Sequence, residues 1–333
     1  MEKDNIKKNA ANEIFNLACN RKDPALFLKA GERALNLKEP DFITAQISFF
    51  SAGYFTLNAM KQGELVEIDA MAALWHGAMI GDPKCLYTIG ENEKEKVLAH
   101  ACFNLANCFD DVRGIAGIEP IQQLFNLELN MNSEQIANAE ELAIETWLDI
   151  DKKHHMQLHG RFTEHEIERI LNTQTDFSTE DLLKRLSLYT NENLVVFPRC
   201  SKRAYDLLKA GSESGCNECI AALGIYLKRG FGVITSDIKS AAPLLERAAK
   251  VGFPNAKVEL ASLYADGNVV SKDLVKAYGL IKMALIEKWN SDLYVNSRLV
   301  PQVDFQAQAL KRQLENDMTA EQLVSAIENP FTL

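Results

Sequence analysis

The feature that most restricts what this chain can become is an internal repeat with a period of 36 to 37 residues. The segment SGCNECIAALGIYLKRGFGV, from Ser214, returns as VGFPNAKVELASLYADGNVV, from Val251. Gly215 pairs with Gly252, Cys219 with Ala256, Leu223 with Leu260 and Gly230 with Gly267, each 37 residues apart. Behind them Asp237 pairs with Asp273, Ala241 with Ala277 and Ala248 with Ala284, at 36 residues. A remnant of the preceding unit stands in RAYDLLKAGSESG, where Ala204 is to Gly215 as Ala241 is to Gly252. Each unit reads as two helices. Cys219, Leu223 and Leu227 supply one apolar face, and after the turn RGFGV, Ala241, Leu244, Leu245 and Ala248 supply another. Gly224, Ala241 and Ala248 allow close helix approach, while Gly230 and Gly232 permit backbone angles that strain other residues. One helix pair cannot bury both of its apolar faces, so such pairs must stack. The expected fold is all-α, a superhelical solenoid of antiparallel helix pairs.

The pattern of a small residue, LG, G-x-GV, Asp, Lys-Ala, AA and Gly resembles the Sel-one-like repeat (SLR) family, relatives of tetratricopeptide repeats. The resemblance is clearest from Ala204 to Ala284 and extends to AMAALWHGAMIGDPKCLYTIG, Ala70 to Gly90, which aligns with Ala241 to Ala261. Cys85 then takes the small-residue place of Cys219. Where the family has a G-x-GV turn, this unit has ENEKEKV, a shorter and charged linker. The resemblance implies an adaptor or scaffold that binds a protein partner on its concave face. Members of the family include bacterial proteins that engage host factors or neutralise a toxin.

A second likeness joins the two halves of the chain. Ala99 to Ala106 resembles Ala277 to Ala284, and the closing segments MNSEQIANAEELA, from Met131, and MTAEQLVSAIEN, from Met318, resemble each other. Asn132 with Gln135 and Thr319 with Gln322 have capping-box spacing. The offset grows from 178 to 187 residues between these landmarks, which places an insertion around Asn290 to Val303. No alanine occurs from Ile144 to Arg203 beyond Ala143, although Thr163 to Glu166 and Ser178 to Asp181 carry helix-start spacing. The expected organisation is a degenerate helical array over 1–147, a helical connector over 148–203 and an SLR array with a closing helix over 204–333.

Charge divides unequally between these parts. Residues 1–147 hold 13 basic and 22 acidic side chains, against 14 and 15 in residues 204–333. A net charge of -10 offers no basic face for nucleic acid or anionic lipid, and it favours a protein partner with a basic surface on the amino-terminal half. Glu13 and Asn16 interrupt any signal-peptide core, and seven scattered cysteines fit reduced thiols. The expected location is cytoplasmic, the alternative being export without a cleaved signal. Phe42 to Met60 carries no charge, yet Ile43, Ile47, Phe50, Tyr54 and Leu57 at spacings of 4, 3, 4 and 3 oppose Thr44, Ser48, Ser51 and Asn58. This pattern predicts an amphipathic helix and not a membrane span.

The chemical candidates each meet a plainer reading. His154, His155, His159 and His165 cluster in HHMQLHGRFTEHE, but the glutamate of a zinc-protease motif is absent and Gly160 weakens the helix. Cys216 and Cys219 form CNEC without a second ligand pair, and Cys219 falls on a repeat core position. Ser236 and Lys239 have SxxK spacing, but they lie beside the recurring Asp237 in an inter-helix linker. Trp75, Trp147 and Trp289, with Phe49, Phe50, Phe103 and Phe125, sit in helical settings that suit packing. No metal, cofactor or catalytic residue is therefore expected. The repeat register puts Lys84, Tyr87 and Glu91, Glu218, Ala221 and Ile225, and Asn255, Val258 and Ser262 off the core face as partner contacts. The leading expectation is a non-enzymatic scaffold or inhibitory partner. The alternatives are an effector that engages a host protein and an enzyme built on the histidine cluster or on Cys216.

Overall fold

The computed structural model describes residues 2–110, 119–154, 185, 197–286 and 303–328. Among these residues there are fifteen helices and no strand, with one isolated bridge between Phe231 and Ile234. The chain divides into two compact units. The first contains α1 (Glu2–Arg21), α2 (Pro24–Leu35), α3 (Phe42–Lys61), α4 (Ala70–Ala78), α5 (Pro83–Asn92), α6 (Lys96–Asp110), α7 (Pro120–Glu128) and α8 (Ser133–His154). It also includes Phe197, whose ring meets Trp147 of α8 edge-on at 5.0 Å. The second unit contains α9 (Ser201–Glu213), α10 (Asn217–Arg229), α11 (Ile238–Val251), α12 (Pro254–Asp266), α13 (Leu274–Ile286), α14 (Val303–Asp317) and α15 (Ala320–Glu328).

Helices α1 to α7 pack in chain order, α8 lies on α6, and α3 also touches α5. In the second unit α9 to α14 pack in chain order, α15 lies on α13, and α10 and α14 each touch α12. Contact between every second helix is what stacking of helix pairs produces, and it realises the solenoid architecture within each unit.

The repeating residues have repeating physical jobs. Gly81, Gly215 and Gly252 close the second helix of successive pairs at φ of +75°, +88° and +114°, where a side chain would strain the backbone. Asp69, Asp82, Asp237 and Asp273 accept hydrogen bonds from backbone N–H groups that open the next helix, as from Ser240 at 3.2 Å and Lys276 at 2.8 Å. The RGFGV turn is held by reciprocal backbone bonds of 2.8 and 2.9 Å between Phe231 and Ile234. The Phe231 ring stacks on Tyr226 at 4.9 Å, and the buried Arg199 guanidinium lies 5.4 Å above that ring. In the first unit the charged linker replaces that turn: Glu93 accepts from the N–H groups of Lys94 and Glu95, and Glu95 accepts from those of Val97 and Leu98, capping α6. Both closing helices carry reciprocal caps. Asn132 and Gln135 exchange bonds of 3.0 and 2.8 Å, and Thr319 and Gln322 exchange bonds of 2.9 and 3.2 Å.

Helix α3 turns its line of isoleucines outward. Helix α3 buries Ala45, Gln46, Ser48, Phe49, Ala52, Gly53 and Thr56, and leaves Ile43, Ile47 and Tyr54 68%, 47% and 46% exposed. The reason is room. A Cβ added at Gly53 would stand 2.5 Å from Leu74 Cγ and 3.1 Å from the Ala70 carbonyl, so α4 tolerates only small residues there. Two polar members of the buried face are hydrogen-bonded: Thr56 Oγ1 donates to the Ala52 carbonyl at 2.7 Å, and Gln46 Nε2 donates to the Ile80 carbonyl at 2.7 Å, while the buried Ser48 hydroxyl has no partner. A face of isoleucines would overpack this interface, and so the larger side chains turn outward.

Close approach also makes the α4 and α5 packing brittle. A Cβ at Gly77 would collide with Cys85 Sγ, the buried small residue in the repeat register. Gly77→Ala is expected to cost about 1–3 kcal/mol, with Cys85→Ala in the same chain restoring part of it; urea unfolding measures both. In the second unit, Ser240 holds the Asp237 carboxyl below its usual range, and Lys311 together with Tyr278 does the same for Glu315. A depressed carboxylate stabilises the fold above its unfolded pKa of about 4 and loses that contribution as pH falls through the folded value. The stability difference between wild type and Asp237→Asn should therefore shrink below about pH 4 in unfolding titrations.

Candidate functional site

The outward face of α3 carries Ile43, Ile47, Phe50 and Tyr54 in one line along the helix. The Phe50 and Tyr54 rings stack at 5.7 Å, and Tyr54 meets Phe55 edge-on at 5.8 Å. Helix α5 borders this line through Lys84, whose ammonium lies 5.7 Å from the Phe50 ring centroid, a cation–π contact that fixes the exposed side chain over the aromatic face. Along the same face of α5, Tyr87 packs edge-on against Phe103 at 5.3 Å, and its hydroxyl accepts from Gln123 of α7 at 3.4 Å. Glu91 completes that face and is exposed. Helix α7 exposes Ile121, Phe125 and Leu129.

Lys84, Tyr87 and Glu91 are thus together on one helix face beside a line of exposed apolar side chains. The corresponding positions in the second unit are arranged differently. Ala221, Ile225, Asn255 and Val258 are buried, which corrects their assignment as contact positions. The reason is the stacking of α10 on α12 and of α12 on α14, which consumes the faces on which they lie. Glu218 and Ser262 stay partly exposed. Ser262 belongs to an ionic crossing: Lys228 of α10 donates to its hydroxyl and, at 2.6 Å, to Glu259 Oε2. Arg229 donates to Glu259 Oε1 and, at 2.9 Å, to Gln306 of α14. One buried carboxylate is shared by two cations, so this crossing ties α10 to α12 and extends to α14.

The sequence pattern contained the α3 line without deciding which side of the helix meets the core. The signal for the outward orientation was the run of small residues at Ala45, Ala52 and Gly53, which marks the side where neighbouring backbones come close.

The chemical candidates hold structural positions. Burial pushes the Cys85, Cys108 and Cys219 thiols well up, and it raises Cys102 to about 12 with Glu93 adding to the effect. Cys216 is the N-cap of α10, its sulfur accepting from the Cys219 N–H at 3.4 Å. Ser236 donates its hydroxyl to the Lys228 carbonyl at 2.8 Å. Trp147, Phe49 and Phe103 are core residues. His155, His159, His165, Trp289, the predicted helix starts at Thr163 and Ser178 and the insertion around Asn290 lie outside the described residues. Among the described residues no group of three or more His, Cys, Asp or Glu side chains is gathered for a metal, and no helix is long and apolar enough to cross a membrane.

No protein-family model matches the chain, and no curated protein matches it. Several solved structures are similar to it, among them these two. One is the crystal structure of c5321, a protective antigen present in uropathogenic Escherichia coli strains displaying an SLR fold, at 16% identity and a TM-score of 0.35, covering 95% of this chain and 70% of that one. The other is a Sel1 repeat protein from Oxalobacter formigenes, at 16% identity and a TM-score of 0.29, covering 70% of this chain and 81% of that one. The architecture of the present chain rests on its own stacked helix pairs.

Thiol accessibility checks the packing assignment. Cys19 is exposed and Cys216 half-buried, while Cys85, Cys102, Cys108, Cys200 and Cys219 are buried. In a timed reaction with an aromatic disulfide reagent, two thiols should react in the native protein and the other five only on unfolding. Rapid native reaction of Cys85 or Cys219, read by peptide mapping, would contradict the burial.

Proposed function

We propose that this chain is a non-enzymatic protein-interaction scaffold that holds a protein partner against the exposed face of α3 and the bordering face of α5. The observation that carries this reading is that Ile43, Ile47 and Tyr54 are left exposed on one side of α3, with Phe50 half-buried between them, while the opposite side buries Phe49 with mostly small or polar residues. Keeping contiguous large apolar side chains in water forgoes about 25 cal/mol for each Å² left exposed. Patches of that kind mark docking surfaces on soluble proteins. Aromatic side chains next to a lysine and a glutamate are also the composition of an interface centre with a polar rim.

The buried thiols and the engaged Ser236 support a structural account of the residues that could otherwise have suggested chemistry. Seven free cysteines suit a reducing compartment such as the cytoplasm.

Ile47→Asp tests the reading because Ile47 is exposed and its substitution should change stability by under about 0.5 kcal/mol. Affinity capture from source cells with wild-type bait should retain a specific protein that Ile47→Asp bait loses while its thermal melt stays unchanged. Equal recovery with both baits would place the partner surface elsewhere.

A further inference from the structure

We infer that Cys216 and Cys219 form a dithiol site, which small disulfides of the glutathione type oxidise reversibly to an intramolecular disulfide across the first turn of α10. The site lies in the second unit and stands independently of the α3 surface.

The repeat shows what these two positions do when no sulfur pair is present. On α5 the cap is Asp82, whose carboxylate is a stronger acceptor than a sulfur. On α12 the buried place of Cys219 is filled by Ala256. Neither capping nor packing therefore calls for a cysteine. Cys85 holds the same place on α5 with Asp82 across the turn, so its thiol has no second sulfur to bond. Among the described helices, only α10 has sulfur at both positions. The surrounding backbone holds the pair ready. Gly215 bends the chain at φ of +88°, the Cys216 N–H donates to the Gly211 carbonyl at 2.9 Å, and the Cys216 carbonyl accepts from the Ile220 N–H at 3.0 Å. The Cys216 sulfur accepts from the Cys219 N–H at 3.4 Å, and so already lies over the residue it would bond.

Exposure fixes the order of events. Cys216 is half-buried and Cys219 buried, so an external disulfide RSSR meets Cys216 first. The Cys216 thiolate attacks RSSR, a Cys216–SR bond forms, and one RS⁻ leaves. The Cys219 thiolate then attacks the Cys216 sulfur, the Cys216–Cys219 bond forms, and the second RS⁻ leaves. Both thiol protons end on the two released thiolates. Two electrons pass from the protein pair to RSSR, which departs as two RSH. Burial pushes the Cys219 thiol up, and the Cys216 side chain adds to the effect, so the second step is the slow one. Brief exposure to a disulfide therefore leaves an adduct on Cys216, and closure follows on longer exposure. Oxidation also removes the S–H that Cys216 donates to Glu218 at 3.4 Å, which carries the change to a partly exposed carboxylate of α10. In a reducing compartment such a pair stays a dithiol until the disulfide pool rises, as transient redox-sensing disulfides do.

The test incubates the native full-length protein with glutathione disulfide, quenches samples with acid at intervals, alkylates the remaining thiols in urea and maps the peptides. In wild type the peptide holding Cys216 and Cys219 should first carry glutathione, then lose it together with alkylation at both cysteines. Excess reduced glutathione should restore alkylation at both. Cys219→Ala, which places at this position the residue found at 256, should keep its glutathione and end with about tenfold or more adduct on Cys216 than wild type. Cys216→Ser should leave Cys219 fully alkylated. Cys19, exposed and far from the pair in sequence, should take an adduct that persists in every form, and the buried Cys85 should stay unmodified. Three results would overturn the inference: a wild-type adduct on Cys216 that persists beside an alkylatable Cys219, closure that occurs only in urea, or no modification of Cys216. The wild-type time course decides among these without reliance on any variant.

Discussion

Everything in this structure depends on how closely one helix backbone can approach the next. At Gly53 the neighbouring Leu74 side chain occupies the space of a Cβ, and at Gly77 the Cys85 sulfur does so. A Cβ added at Gly31 would stand 2.9 Å from the Phe49 ring, and one at Gly90 would stand 2.9 Å from the Phe103 ring. In the second unit a Cβ at Gly224 would stand 3.1 Å from Leu245. Such contacts set the spacing within and between helix pairs, and the dense interior leaves no slack for a larger residue. The alanines and glycines of the repeat are therefore the stacking surface itself, and the larger apolar residues fill the space that remains between pairs.

That constraint reaches the surface through α3. Once small residues claim the interior of this helix, its isoleucines and Phe50 and Tyr54 have only the solvent side left to them. The same steric requirement that holds the first unit together thus leaves Ile43, Ile47 and Tyr54 exposed beside the Lys84 ammonium. Fold and proposed function share one cause, since α3 would have had nothing to offer a partner had it buried Ile43, Ile47 and Tyr54. In the second unit the equivalent helix faces close on themselves. Ala221, Ile225, Asn255 and Val258 are buried, and Lys228 and Arg229 are occupied by Glu259. The two units therefore differ in what they leave available, despite their related sequences.

Local interactions were legible because they depend on residues near in the chain. The capping pairs Asn132–Gln135 and Thr319–Gln322 form as their spacing predicts, for each needs only one turn of helix to bring donor and acceptor together. The glycines at 215 and 252 adopt positive φ because a helix must end there whatever packs around it. Cys85 and Cys219 are buried as their register requires. Side-chain orientation on α3 was not legible in this way. Its two faces are both plausible interiors, one large and apolar, the other mostly small apart from Phe49, with Thr56 and Gln46 hydrogen-bonded to the Ala52 and Ile80 carbonyls. The choice belongs to α2 and α4, whose distance from α3 no local pattern states.

The sequence by itself determined the helices, their ends, the stacking of pairs and the concentration of acidic charge in the amino-terminal part, because periodicity, caps and composition act at short range or as sums. Only the tertiary structure decided which face of α3 meets solvent, that α10, α12 and α14 seal the corresponding faces of the second unit, and that Lys84 rests on Phe50. Those outcomes follow from steric fit between helices far apart in the chain. Fit of that kind is set by the distance between backbones, a quantity fixed only when all the helices are in place.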